Sequence, residues 1–305
     1  MYLDRPVAAQ DLPASRTGSL PARFDNLSLR LEEDSRSLWC HMTPAGKPSY
    51  TMALMRDVHA MQHHVAAQFS ASATPPADWF VMASAVPGIY NLGGDLAHFA
   101  QRIRARDHES LVRYGHVAVE AIHRNHIAFG QPMVTLALVQ GDALGGGFEH
   151  ALSFDMIVAE RSAKLGLPEV LFNMFPGMGA YSFLSRRIDR RRAEALISSG
   201  RIHSAEELHE MGVVDILAED GEGETVAREY IARHARKHNA LLTMLRARRR
   251  VDPVTLEELR DVVEMWAAAA MNLGEADLKK MDRLVAAQDR RLAGMGSPGY
   301  ATAAE

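Results

Sequence analysis

The residues best suited to chemistry lie in GDALGGGFEH, where Gly145, Gly146 and Gly147 run directly into Phe148 and Glu149, and in LGLPEV, which carries Glu169 twenty positions later. Bare backbone beside a carboxylate has three readings: a phosphate-cradling loop, a tight packing contact, or an N–H donor aimed at a reacting group. A Walker-type loop needs lysine and a hydroxyl residue after its last glycine, whereas Phe148, Glu149 and His150 follow here. A dinucleotide fingerprint counted from Gly145 would place its third glycine where His150 stands. A carboxylate at that point would also repel phosphate. Packing and donation stay open, since glycine permits both a sharp strand-to-helix turn and an unencumbered N–H.

A second glycine loop, LGGD at 92–95, also follows an apolar run. Loops at the carboxyl ends of parallel strands are where α/β proteins build sites. Two N–H donors converging from the two glycine loops would form an oxyanion hole, with the donor at 146 strengthened by its place at a helix N-terminus. Glu149 falls about one turn into that helix. Glu169 sits among Leu165, Leu167, Val170, Leu171 and Phe172. An ionised, unpaired carboxylate is costly in such surroundings, so its pKa rises toward neutrality, as suits a general acid or base. The alternative for each glutamate is a capping or surface carboxylate.

These residues need a scaffold, and the hydrophobic pattern supplies one. Leu27, Leu29 and Leu31, then Leu38, Cys40 and Met42, alternate on either side of a charged turn and predict a strand pair. A helix is expected over 51–69, with Met52, Met55, Val58 and Val65 near one face and Pro75 and Pro76 beyond its end. DWFVMASAV at 78–86, PMVTLALVQ at 132–140 and DMIVAE at 155–160 read as buried strands. DHESLVRYGHVAVEAIHRNHIAFG is a long helix closed by Gly130, and Ser204 with Glu207 forms a capping box that opens a helix stopped by Gly212. VVDILAE is the last strand, and after about residue 222 the pattern is helical only. Strands alternating with helices imply an α/β core with mainly parallel pairing. The expected organisation is a flexible arm over 1–22, an α/β core over 23–221 and a helical region over 222–305, whose amphipathic helices cover the core or a neighbouring subunit. No sequence repeat of about 20 to 50 residues stands out.

Composition narrows the function classes. The chain has 305 residues, 47% of them hydrophobic, and a formal net charge of -4, so nothing global attracts nucleic acid or an anionic membrane. Cys40 is the only cysteine, which excludes an intramolecular disulfide and a cysteine-only zinc site and fits a packed small hydrophobe in a reducing compartment. The start lacks a basic region followed by an apolar stretch, and no run of about 18 apolar residues occurs, so a cytoplasmic protein without a membrane span is expected. His59 and His63, or His123 and His126, have helical spacing but no HExxH pattern, so no metal is expected. The basic clusters RRIDRRR at 186–192 and RARRR at 246–250 lack interleaved aromatics and read as solvated helix faces rather than a nucleic-acid surface. His150 should point about 100° away from Glu149 around the helix.

LALVQGDALGGGFEHALSFDMIVAERSAKLGLPEV resembles the signature of the crotonase (enoyl-CoA hydratase/isomerase) superfamily, with NLGGDL as its upstream oxyanion loop. Within it, NLGGDLAHF, GLPEVLFNMFPGMGAYSFLSRRI and MNLGEADLKKMDRLVAAQDRR are similar to the diffusible signal factor synthases, which make cis-2-unsaturated fatty acid quorum signals. The likeness runs from about residue 23 to 293. It implies a spiral of ββα units, backbone donors at Gly94 and Gly146 holding a thioester carbonyl, and Glu149 and Glu169 as an acid/base pair about the C2–C3 bond. It also implies an acyl pocket lined by Met178, Trp266 and Leu284, although the latter two could equally be helix-packing residues. The implied reaction is dehydration of a 3-hydroxyacyl-acyl carrier protein followed by hydrolysis to the free acid, with no cofactor. An ordinary 2-enoyl-CoA hydratase and a non-catalytic acyl-binding or sensor-binding regulator are the rivals. Implied partners are an acyl carrier protein or CoA thioester, a sensor protein, and further copies of the chain in a trimer or pair of trimers.

Overall fold

The computed structural model describes residues 20–294. Most of the expected arm, residues 1–19, lies outside that range. Leu20, at its end, is fully buried and its carbonyl bonds His64 of the first helix.

Six strands form the main sheet. β1 (Leu27–Glu32) pairs antiparallel with β2 (Ser37–Met42), and β3 (Trp79–Ser84), β5 (Val134–Val139), β7 (Met156–Glu160) and β10 (Ile216–Ala218) continue it in parallel, in the order β1-β2-β3-β5-β7-β10. This sheet is covered on both faces, which is why its strands read as unbroken apolar runs. Phe80, Met82, Ala137 and Val139 join the main core with α1 (Met52–Ala71) and α3 (His108–His126). The alternate residues Trp79, Val81, Leu136 and Leu138 face a second core closed by α8 (Gly223–His234) and α9 (His238–Val251).

A smaller sheet stands beside the first. β4 (Ile89–Asn91), β6 (Asp142–Leu144) and β8 (Lys164–Gly166) are parallel neighbours, and β9 (Ile202–Ser204) adds an antiparallel edge. β4, β6 and β8 each follow a long strand, so the chain repeats a long strand, a short strand and a helix: β3, β4 and α2 (Leu96–Arg104); β5, β6 and α4 (Gly146–Leu152); β7, β8 and α5 (Ala180–Arg187). This is the ββα spiral. The repeat is structural and leaves little trace in sequence because its second strand is too short to carry a period. The sequence pattern marks neither β4, β6 nor α2 as a separate element.

Elsewhere expectation and structure agree closely. The Ser204–Glu207 capping box opens α7 (Ala205–Glu210), with the Glu207 N–H 3.1 Å from the Ser204 hydroxyl. Met52 is an exception on α1: it is 44% exposed while Met55, Val58 and Val65 are buried. The C-terminal helices pack on their own chain's core. α10 (Leu256–Ala270) lies so close to α3 that a methyl on Gly115 would stand 2.4 Å from Val263 Cγ1. α11 (Glu275–Gly294) is tied to α2 through Arg104, whose guanidinium reaches Glu275 at 3.0 Å and Asp282 at 2.7 Å.

The basic clusters are not simply solvated faces. Arg186 pairs with Glu258 at 2.8 Å, Arg187 with Asp215 at 2.7 Å, and Arg249 reaches the buried Asp155 at 2.6 Å, joining α9 to the end of the main sheet. Cys40 is completely buried and burial pushes its thiol pKa upward, which keeps it a packing residue. Among the described residues no helix is long and apolar enough to cross a membrane, and no cluster of three metal-ligating side chains occurs.

Candidate active site

The carboxyl ends of β4, β6 and β8 lie side by side, and each delivers one part of the site. β4 runs into Leu92–Gly94, β6 into Gly145–Gly147, and β8 into the 3-10 turn Pro168–Phe172 that bears Glu169. The Gly145 N–H donates to the Gly166 carbonyl at 2.8 Å and so fixes the second loop to the third.

Gly145, Gly146 and Gly147 are bare for three different reasons. Gly145 has a positive φ of 51°, and a methyl there would sit 2.5 Å from Glu169 Oε1. At Gly147 a methyl would meet the Asn91 carbonyl oxygen at 2.1 Å, so this glycine is a packing contact between β4 and α4. Gly146 is the first residue of α4 and has no acceptor one turn back in the helix. A methyl on Gly146 would lie 3.4 Å from the Gly94 nitrogen, and one on Gly93 would lie 3.0 Å from the Gly146 nitrogen. The two nitrogens therefore converge. None of the described hydrogen bonds uses the Gly94 N–H, although both backbone groups of Gly93 are engaged: its N–H donates to Asn91 Oδ1 at 2.8 Å, and its carbonyl accepts from Tyr50 N–H at 2.7 Å.

Glu149 is 2% exposed, and its Oε1 accepts from Met178 N–H at 2.7 Å and Ala180 N–H at 3.0 Å. Glu169 is partly accessible as a residue, but its Oε2 is enclosed and finds no partner among the described residues. Burial pushes Glu149 up to about 7 despite those two donors, and pushes Glu169, which also feels the Glu149 charge, up to about 8. Burial and the nearness of the two charges both favour keeping a proton on the pair. The two donors favour placing the charge on Glu149.

Glu149 and Glu169 both line one cleft. Gly94 and Gly146 line it too, and its apolar wall is built by Phe99 of α2, Tyr114 of α3, Met178, Trp266 of α10 and Met281 of α11. Phe99 and Trp266 meet edge to face at 5.1 Å, and a methyl on Gly177 would strike the Trp266 ring at 2.5 Å. Leu284, one turn beyond Met281, packs against the core beside the cleft and is not among its lining residues. Sequence reading did not single out Phe99, Tyr114 or Met281, because only long-range packing brings α2, α3 and α11 to the glycine loops. His150 turns away from the cleft, its Nδ1 3.0 Å from the Tyr90 hydroxyl, and burial pushes its pKa down to about 3.

The raised carboxyl pKa values have a consequence for stability. In the unfolded chain these groups lose their protons near the ordinary carboxylate value of 4.5, whereas in the folded protein they keep them up to about 7 and 8. The folded state thus binds more protons in that interval, and stability falls as pH rises through it. Glu169→Gln should therefore gain thermal stability relative to wild type on going from pH 5 to pH 8. Parallel melting curves with a constant difference at both pH values would contradict this.

Comparison with known proteins agrees with the geometry. Residues 61–271 match the sequence profile of the enoyl-CoA hydratase/isomerase family. The mitochondrial methylglutaconyl-CoA hydratase of Rattus norvegicus is 37% identical over 150 residues, covering 49% of this chain and 45% of that protein. The chain thus spans about half the length of the curated relatives it matches. The enoyl-CoA hydratase of Bacillus halodurans superposes with a TM-score of 0.69 at 18% identity over 85% of this chain and 99% of that one. DspI of Pseudomonas aeruginosa superposes with a TM-score of 0.58 at 21% identity over 88% and 99%. At these identities the structural likeness is one of fold.

Proposed function

The chain belongs to the enoyl-CoA hydratase/isomerase family, and from that premise we propose that it dehydrates a 3-hydroxyacyl thioester to the cis-2-enoyl thioester and hydrolyses it to a free cis-2-unsaturated acid, a quorum-sensing signal. The observation that carries the chemistry is the convergence of Gly94, Gly146, Glu149 and Glu169 on one apolar cleft. Removing a C2 proton builds negative charge on the thioester oxygen, and N–H groups preorganised at that oxygen stabilise it. Glu169 Oε1 lies against Gly145, next to the Gly146 donor, and so addresses C2, the carbon adjoining the carbonyl. Glu149 then faces the C3 hydroxyl. In dehydration an ionised Glu169 takes the C2 proton, and a protonated Glu149 gives its proton to the hydroxyl, which departs as water.

Hydrolysis uses the same donors. Water attacks the thioester carbonyl, a glutamate accepts its proton, the oxyanion rests on Gly94 and Gly146, and the thiol of the carrier departs protonated. The sequence has no G-x-S-x-G elbow and its one cysteine is buried in the core, so activated water rather than an acyl-enzyme fits this chain. The finer assignment rests on the motif resemblance around NLGGDLAHF and in the C-terminal helices. An acyl carrier protein as thioester donor, a sensor protein as regulator and a trimer or pair of trimers belong to the same reading.

One observation favours a second reading, a 2-enoyl-CoA hydratase. Two backbone donors favour the pair's charge on Glu149, the arrangement in which Glu149 would activate water at C3 and Glu169 would protonate C2. Mass spectrometry of an incubation with 3-hydroxydodecanoyl carrier protein separates the two. A free cis-2 acid is expected, whereas trans-2-enoyl thioester alone would replace the synthase by the hydratase.

A further inference from the structure

We infer that Tyr114 is a positioning residue of the oxyanion hole, holding the Gly94 loop to the segment before α1 and joining it to the wall of the acyl cleft. The inference rests on the reading of Gly94 and Gly146 as donors to a thioester carbonyl. It concerns a residue distant in sequence from either glycine motif.

The peptide between Gly93 and Gly94 carries both groups that matter. In a planar trans peptide the C=O and N–H point in opposite directions, so anchoring the Gly93 carbonyl aims the Gly94 N–H. The anchor is the Tyr50 N–H, at 2.7 Å. Tyr50 and Gly94 form an isolated parallel bridge outside any strand, and on the side of Gly93 the same two segments are tied by one further bond, from Leu92 N–H to the Pro48 carbonyl at 2.8 Å. The Tyr114 hydroxyl supplies the side-chain support beyond Gly94. It donates to the Tyr50 carbonyl and accepts from the Asp95 N–H at 3.3 Å, so one side chain closes the bridge on the far side of Gly94. Tyr114 is 3% exposed, and leaving the buried Tyr50 carbonyl and the half-buried Asp95 N–H without this partner would cost stability as well as alignment.

The ring has a second role. It lines the cleft, edge-on to Phe99 at 4.8 Å and stacked on His98 at 5.7 Å, both residues of the helix that the Gly94 loop enters. An acyl chain that packs against this ring presses on the group that holds the donor. Binding energy from a remote part of the substrate is thereby available to align the reacting carbonyl.

Tyr114→Phe removes the hydroxyl and keeps the ring. Misplacement of a catalytic group by about 1 Å can cost on the order of a hundredfold, so kcat should fall roughly ten- to a hundredfold while KM changes by less than about threefold. A purely structural role would not move the carbonyl itself, which infrared difference spectroscopy reads directly. The probe is a decanoyl-CoA analogue with a 13C-labelled carbonyl and a methylene in place of the thioester sulfur, so that it cannot be hydrolysed. Wild type should lower the carbonyl stretch on binding, and Tyr114→Phe should lower it less. An unchanged shift together with unchanged kcat would overturn the inference. If Tyr114→Phe does not fold, the wild-type protein still provides a test: the decanoyl analogue should show a larger shift than the butyryl one, and equal shifts would overturn the inference. A wild-type protein that lowers the stretch but turns over no enoyl or hydroxyacyl thioester would refute the proposed reaction and leave the Tyr114 comparison intact.

Discussion

Glu149→Ala and Glu169→Ala are each expected to lower turnover of a 3-hydroxyacyl or 2-enoyl thioester by about a hundredfold to ten-thousandfold, the usual worth of positioned acid/base groups, while the chain stays folded. In the proposed reaction the two carboxyls act on neighbouring carbons of one substrate, so their effects should not add. The double variant is expected to be about as slow as the slower single one, as for other groups that work as a unit. Their effects on stability should differ. Glu149 accepts two backbone N–H bonds from Met178 and Ala180, and alanine would leave those donors without partners at a cost of roughly 1–3 kcal/mol for each group. Glu169 holds an oxygen with no partner among the described residues, so its loss should cost less. Glu149→Gln, which retains the acceptor oxygen, serves as the companion: slow turnover with near wild-type melting assigns the loss to chemistry. Full activity in either purified alanine variant would remove the glutamate pair from the mechanism.

The parts of this protein legible in its sequence are those with a period or a cap. The long strands β3, β5 and β7 are buried on both faces and show as apolar runs. The Ser204–Glu207 box announces α7, and the strand pair β1–β2 shows in alternating leucines. What stayed hidden is set by contacts without local signature. β4, β6 and β8 have three residues each, so nothing in their composition separates them from loops, yet their parallel alignment is what brings Gly94, Gly146 and Glu169 to one edge. α2 carries Phe99, Ala100 and Ile103 on its buried side, but it follows so closely on the LGGD loop that it reads as the loop's continuation. Tyr114 looks like one more apolar residue of a long helix. Only the fold shows its hydroxyl meeting the Tyr50 carbonyl and the Asp95 N–H. The wall of the cleft drawn from α10 and α11 is likewise a matter of packing, which is why Met281 lines it and Leu284 packs beside it.

Gly146→Pro isolates the donor from the acid/base pair. Proline lacks the N–H, and the first position of a helix is where it is best tolerated, because its fixed φ suits the helix and that N–H has no partner inside it. Gly146 occupies that position in α4. The new ring carbons would crowd Met178, whose sulfur lies 2.7 Å from the place a Cβ would take. This thioether is near the end of a flexible side chain and can shift. Losing one oxyanion donor costs about a hundred- to a thousandfold in rate, so kcat should drop by that factor for both steps of the proposed reaction, since both would place negative charge on the same oxygen. Glu169→Ala, by contrast, leaves the carbonyl donors in place. In the infrared difference spectrum of the bound carbonyl analogue it should keep most of the wild-type shift, whereas Gly146→Pro should lose much of it. A proline variant that folds, binds the analogue and retains both the full shift and wild-type turnover would mean that the carbonyl does not rest on Gly146, and the glycine run would then be a packing device alone.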